Sequence, residues 1–229
     1  MASVKDRAIG DAMHTADVEW DELPPSVRAA VGRALARQQR DAVADVEQIL
    51  DAALRVAERV APSEPKVADI VAEAGTSNQT FYRYFAGKSD LMAAVQERGI
   101  VRLRSYLARR MDRHENPDDR VAAWVEGLLA QVTSPATARQ SVAVAQELQR
   151  DGATAGEASL LDHLGALLAP TLARAGNANP ALDARALQDV VLGVVRRHAL
   201  AATSPSAEER AHVIDFCLGV VGRDAARRH

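Results

Sequence analysis

A chain of 229 residues suits one medium domain or two small ones, and its 48% hydrophobic content is enough to bury a core. The formal net charge of −3 excludes a protein that coats nucleic acid over its whole surface, while leaving a focused basic contact open. No apolar run approaches the roughly 20 residues that span a bilayer, and the N-terminus MASVKDRAIGDAMHTADVEWDELPP has no apolar signal core, so a soluble, cytoplasmic protein with no membrane partner is expected. The single cysteine, Cys217, allows no internal disulfide. Set among Ile214, Phe216, Leu218 and Val220, it reads as a small buried hydrophobe.

In chain order, residues 1–25 are polar, mixed in charge and without periodicity, and are expected to be mobile, with Trp20 as a local exception. Pro24-Pro25-Ser26 opens an amphipathic helix over 26–40, with Val27, Ala30, Val31, Ala34 and Leu35 at helical spacing. Arg33, Arg37 and Arg40 lie within about 60° of one another on its wheel. Between Gly32 and Ala61 no Gly or Pro stops it, and Asp41 and Asp45 are the positions that could cap a fresh start. Ile49, Ala53, Val56 and Val60 give the inward face of the next stretch, ended by Pro62 and Pro65.

Val67, Ile70, Val71 and Ala74 then recur at the spacing of one apolar helix face, and Gly75 ends that helix. Ser77 is a good N-cap for a second short helix. Four of the few aromatic residues in a chain only 3% aromatic, Phe81, Tyr82, Tyr84 and Phe85, fall within five positions of it. Helix, Gly-containing turn, helix is the helix-turn-helix arrangement, whose second helix enters the major groove of DNA. Phe81 and Phe85 share its inner face and leave Asn78, Gln79, Thr80 and Arg83 outside, joined by Tyr84 as candidate readers of base edges. Asn and Gln pair with adenine, Arg with guanine, and the Thr methyl with that of thymine. Ser77, Tyr82 and Lys88, with Arg33, Arg37 and Arg40 upstream, are candidates for phosphate oxygens, which fix register without reading sequence.

A connecting helix is expected from about Lys88 to His114, and Asn116-Pro117 marks a turn into the next. Its arginines, Arg98, Arg102, Arg104, Arg109, Arg110 and Arg113, read as a solvated face whose long stems also pack. Onward the pattern is helical throughout. Val121, Trp124, Val125, Leu128 and Leu129 form one helix, Ala138 to Gln149 another, and Leu160, Leu161, Leu164, Leu167 and Leu168 line a third that holds Gly165 and Pro170. The last two helices are apolar on more than one side, around Val190, Val194 and Val195, then Val213, Phe216, Leu218 and Val221. Burial on more than one side makes these residues candidates for a subunit interface.

The order Ala-Gly-Thr-Ser, three variable positions, Phe-Tyr-Arg-Tyr-Phe, two more, then Lys-Ser-Asp-Leu resembles the TetR family of bacterial one-component transcriptional regulators. At motif level the resemblance covers roughly Asp45 to Val95, and Tyr82, Phe85, Lys88 and Leu91 fall where the family signature has them. Departures are the link from Ala61 to Lys66, where the family usually has a glycine and a Ser or Thr cap, and Thr76, where an aliphatic residue is commoner. The resemblance implies an all-α fold with an N-terminal three-helix DNA-binding domain and a helical domain for ligand binding and dimerisation. The expected division is a segment 1–25, an extra helix 26–40, a helix-turn-helix domain 41–92 and a helical domain 93–229. The last two helices would pair with their copies in a four-helix bundle, giving a homodimer for palindromic double-stranded operator DNA. Such a regulator, usually a repressor in the family, leaves DNA when a small molecule fills the C-terminal domain.

Candidate pocket walls are Leu103, Leu107, Trp124, Leu128, Val142, Leu161, Leu164, Leu168 and Leu172, which also read as core filling; their composition points to an aliphatic or lipid-like effector. A DNA-bound interaction protein with a filled core is the main alternative. An enzyme is a weaker one. Asp162 and His163, with Ser159 nearby, sit on adjacent helix positions about 100° apart and cannot hydrogen-bond as a catalytic triad does. His198 and His212 lack metal-ligand spacing and read as core or interface residues. No catalytic residue, metal or cofactor is assigned.

Overall fold

The computed structural model describes Asp21 and residues 23–60, 63–134 and 161–222; among these, every regular element is helical. The chain divides into two units, Met1–Asp45 and Val46–His229, each described by itself. Helix α1 runs unbroken from Pro25 to Val60, so neither Asp41 nor Asp45 starts a new helix and the extra helix expected over 26–40 continues into the next stretch. The Pro24 carbonyl accepts from the N–H groups of Val27 and Arg28 and closes the first turn. Within the first unit α1 exposes Val27, Leu35 and Val43 to solvent. The segment expected to be mobile lies mostly outside the described residues.

The second unit holds two hydrophobic cores. The first is built by the C-terminal half of α1 (Ile49, Leu50, Ala53, Val56), by α2 over Val67–Glu73 (Ile70, Val71), by α3 over Asn78–Tyr84 (Phe81), and by Phe85. Helix α4, Lys88–Met111, completes it with Leu91 and Val95. One turn further on α4 changes partners: Ile100, Leu107 and Met111 belong to the second core. The boundary expected near residue 92 therefore falls inside a single helix shared by both.

At the centre of the second core is α5, Pro117–Thr133, which packs against α4 on one side and later helices on the others. Asn116 caps it by accepting from the Asp118 N–H, and Pro117 sits in its first turn, where the missing N–H is no loss. Gly127 permits a close approach, since a Cβ there would lie 2.5 Å from Leu107 Cδ2 and force that side chain to shift. The expected helix from Ala138 to Gln149 lies outside the described residues. The helix expected to contain both Gly165 and Pro170 is divided: residues 161–165 are helical, 166–168 form a turn, and α6, Ala169–Arg174, restarts with Pro170 in its first turn. A proline cannot donate to the preceding turn, so it opens the new helix and does not kink the old one.

Helices α7, Pro180–Ala201, and α8, Ala207–Leu218, close the core against α5. Buried Asn177 ties their ends together. Its Nδ2 donates to Asp183 Oδ2 and the Val220 carbonyl, both at 2.8 Å, and its Oδ1 accepts from the Gly222 N–H at 2.9 Å. Arg120 acts similarly between the α4–α5 loop and α6, donating to the carbonyls of Met111 and His114 and to Thr171 Oγ1. Cys217 is fully buried in this core, and burial pushes its thiol up to about 11, which suppresses the nucleophilic thiolate.

Candidate nucleic-acid interface

The geometry of α3 begins with its two ends. Gly75 adopts φ +60, the left-handed turn that an L side chain takes only at a cost, and the Thr76 N–H returns to the Val71 carbonyl at 3.2 Å. One residue further on Ser77, itself extended, caps α3, its hydroxyl accepting from the Thr80 N–H at 3.0 Å. Phe81 is fully buried against Phe85, with ring centroids 5.8 Å apart, and meets Tyr82 edge-on at 5.1 Å. Burial of one apolar face sets the rotation of the helix about its axis.

Rotation about that anchor leaves Asn78, Gln79, Tyr82 and Arg83 exposed on one side. Thr80 is half-buried and its Oγ1 lies 3.0 Å from Ser77 Oγ, so both hydroxyls serve the cap. Tyr84 differs from the other candidate base readers. Half-buried, it packs against the first core, and the Arg83 guanidinium lies 5.9 Å from its ring centroid. The period alone could not place it, because position 84 lies at the edge of the apolar face. Lys88 ion-pairs with Glu64 on the link between α1 and α2. Any phosphate contact by Lys88 must compete with that carboxylate.

Polar ties hold α2 and α4 to α1 beneath this surface. Gln48 Nε2 donates to the Ala74 carbonyl at 2.6 Å, at the end of α2. Arg55 and Arg59 each meet Glu73 at 2.8 Å, and these hydrogen bonds hold the Glu73 carboxyl below its ordinary value. A lowered carboxyl favours the folded chain above the ordinary value and loses that contribution as pH falls through the lowered one. Arg98, nearly buried, pairs with Glu47 and Asp51, both at 2.8 Å, and Arg102 joins Glu47. These two arginines therefore brace α4 on α1, a role that the reading of a solvated face missed. Arg33, Arg37 and Arg40 are exposed in the first unit.

Of the candidate pocket residues, Leu107, Trp124, Leu128, Leu164, Leu168 and Leu172 are fully buried together in the second core. Leu103 and Leu161 pack against it half-buried, and Val142 lies outside the described residues. Trp124 Nε1 donates to the Leu164 carbonyl at 2.9 Å, an anchor that the leucine pattern did not foretell. Of the candidate interface residues, Val194 and Val213 face inward and are buried in the same core, so they are not at the monomer's surface. Val195, Leu218 and Val221 are half-buried against it, whereas Val190 and Phe216 are exposed. His198 is engaged on both ring nitrogens, by Thr203 Oγ1 at 2.8 Å and Glu209 Oε2 at 3.0 Å, and Asp162 pairs with Arg185.

Residues 49–95 match the sequence model of the bacterial regulatory proteins of the tetR family. No curated protein sequence matches the chain. Among solved structures, the fold is similar to that of the transcriptional regulator FadR from Bacillus subtilis in complex with stearoyl-CoA, at 15% identity and a TM-score of 0.59, covering 76% of this chain and 97% of that one. It is similar also to E. coli NemR in its reduced form, at 16% identity and a TM-score of 0.59, covering 77% and 97%. A TetR-like regulator from Rhodococcus sp. RHA1 aligns at 24% identity and a TM-score of 0.54, covering 80% and 96%. The described residues thus form an all-α fold shared with solved transcriptional regulators. Residues 49–95 are similar to the DNA-binding domain of the TetR family.

Proposed function

We propose that the protein is a homodimeric repressor that releases its operator when an apolar small molecule enters the second core. The observation that carries this reading is α4, whose first turns complete the core under the recognition helix and whose later turns line the core of the second domain. A ligand that repacks Leu107 or Leu128 must move a helix to which α3 is also packed. Its effect on DNA is then a coupling free energy, typically ~1–3 kcal/mol, and DNA must weaken the ligand equally. The aliphatic lining supports an aliphatic effector, as does the fold shared with a FadR that holds stearoyl-CoA.

In this reading Asn78, Gln79 and Arg83, with the Thr80 methyl, read bases, while Tyr82, Lys88 and the backbone at Ser77 hold phosphates. Protection of a promoter fragment from nuclease is the direct test, followed by anisotropy on operator variants. Gln79→Ala and Asn78→Ala are expected to change which base pairs are preferred, each by about 1–3 kcal/mol of discrimination. Lys88→Ala should weaken all sequences alike. A change of preferred sequence with Lys88→Ala, or none with both amide variants, would overturn the placement of α3.

The exposed Arg33, Arg37 and Arg40 extend the proposal to the first unit. Each phosphate neutralised on duplex DNA steepens the log–log salt dependence by about 0.9. Deleting residues 1–40 should therefore lower operator affinity and flatten the slope by roughly two to three per subunit. An unchanged slope with a lower melting temperature would assign the helix a bracing role only.

A further inference from the structure

Between the segment 161–169 and the first half of α7 lies a groove of about 220 Å³ at the edge of the leucine core, with which it shares Ala184. Its walls are methyl groups of Ala166, Ala169, Ala181 and Ala184, with Asp162 and Arg185 at the rim and Gln188 at the base. Gln188 is a polar side chain only 3% exposed. Its Oε1 accepts from the Gly165 N–H, an approach open only because position 165 is glycine; a Cβ there would sit 2.3 Å from that oxygen. The oxygen end of the amide is therefore engaged by the chain itself. Among the described residues nothing accepts from Nε2, which leaves a buried N–H donor of Gln188 beside the groove.

A buried donor left unmet costs about 1–3 kcal/mol, so an oxygen from outside the chain must serve it. One water would do so, but the groove has the liquid volume of about seven. At the rim Arg185 and Asp162 are 3.4 Å apart, a long pair with both side chains more than half exposed, which contributes little and can be exchanged. We propose that this groove binds a small aliphatic carboxylate. One carboxylate oxygen accepts from Gln188 Nε2, Arg185 turns from Asp162 to the ligand's charge, and a short alkyl chain lies on the alanine methyls. An amine cannot accept from Arg185 once protonated and is repelled by its charge, and an alcohol meets the same donors without the charge that Arg185 attracts.

The test is titration of the full chain with sodium propionate, butyrate and hexanoate, read from the side-chain amide resonances of Gln188 and by calorimetry. Butanol and butylammonium at matched ionic strength are the controls. A saturable shift of the Gln188 amide with the carboxylates alone is expected. Arg185→Ala should weaken binding about tenfold, and Ala181→Leu, which fills the groove from its exposed side, should abolish it. Gln188→Glu keeps an acceptor for Gly165 but repels the ligand, and should abolish binding in protein shown to be folded. No saturable shift up to about 50 mM would leave water as the sole occupant and overturn the proposal. So would an equal response to butanol, or binding that survives Ala181→Leu.

Discussion

Trp124→Ala is expected to lower stability by about 3–5 kcal/mol, the range for truncating a fully buried tryptophan. For a chain of this size that is a fall in melting temperature of roughly 6–20 °C. Two features put Trp124 at the upper end. It is fully buried on α5, the helix against which α4, α6, α7 and α8 all pack, so the void cannot be filled by one neighbour moving. Its Nε1 also holds the Leu164 carbonyl at 2.9 Å, fixing the segment before the turn at 166–168. Trp124→Phe separates the two effects. It keeps most of the apolar area and loses the donor, and should cost about 1–3 kcal/mol. Circular-dichroism melts of the three proteins decide the matter; a fall of only a degree or two for Trp124→Ala would mean that α5 is not the centre of the core.

The helix-turn-helix was legible because its signals are local and independent. A glycine at φ +60, a serine cap and two phenylalanines at i, i+4 each act within a few residues, and each is found as read. For the opposite reason the half-burial of Tyr84 was not legible. Its direction depends on what packs beside the helix, which no period records. The same limit governs α7 and α8. A count of valines says that two faces are apolar but not which is turned to α5, and only the packed structure shows Val194 and Val213 inside with Val190 and Phe216 outside. Gln188 lay unnoticed beside Asp189, because a buried amide announces itself only through its partner, Gly165, 23 positions away. The unbroken α1 was left open by the sequence, since two aspartates could have capped a new helix and nothing local forbade or required it.

Phe216→Asp is expected to convert the proposed dimer into folded monomers and to lower operator affinity by about two to four orders of magnitude. Within one subunit Phe216 is 54% exposed, and Leu182 and Val190 on α7 are 68% and 39% exposed. Apolar side chains standing out on the two last helices lose contact with water only against another surface, and a second copy supplies one with the two-fold symmetry a palindrome needs. An aspartate at 216 meets water in the monomer and costs it little. In the paired state the carboxylate would be buried without a partner, at a cost of several kcal/mol. Operator affinity falls further than the interface energy alone suggests, because a monomer binds one half-site and forfeits the effective concentration that linkage gives the second, worth about 10²–10⁴. Val194→Asp is the contrasting variant. Val194 is 8% exposed and packed in the second core, so a carboxylate there should unfold the subunit and cannot report on pairing. Light scattering coupled to size exclusion, beside operator titration, distinguishes the two outcomes: a Phe216→Asp protein that stays dimeric and retains full affinity would show that α8 turns this face to solvent in the working regulator.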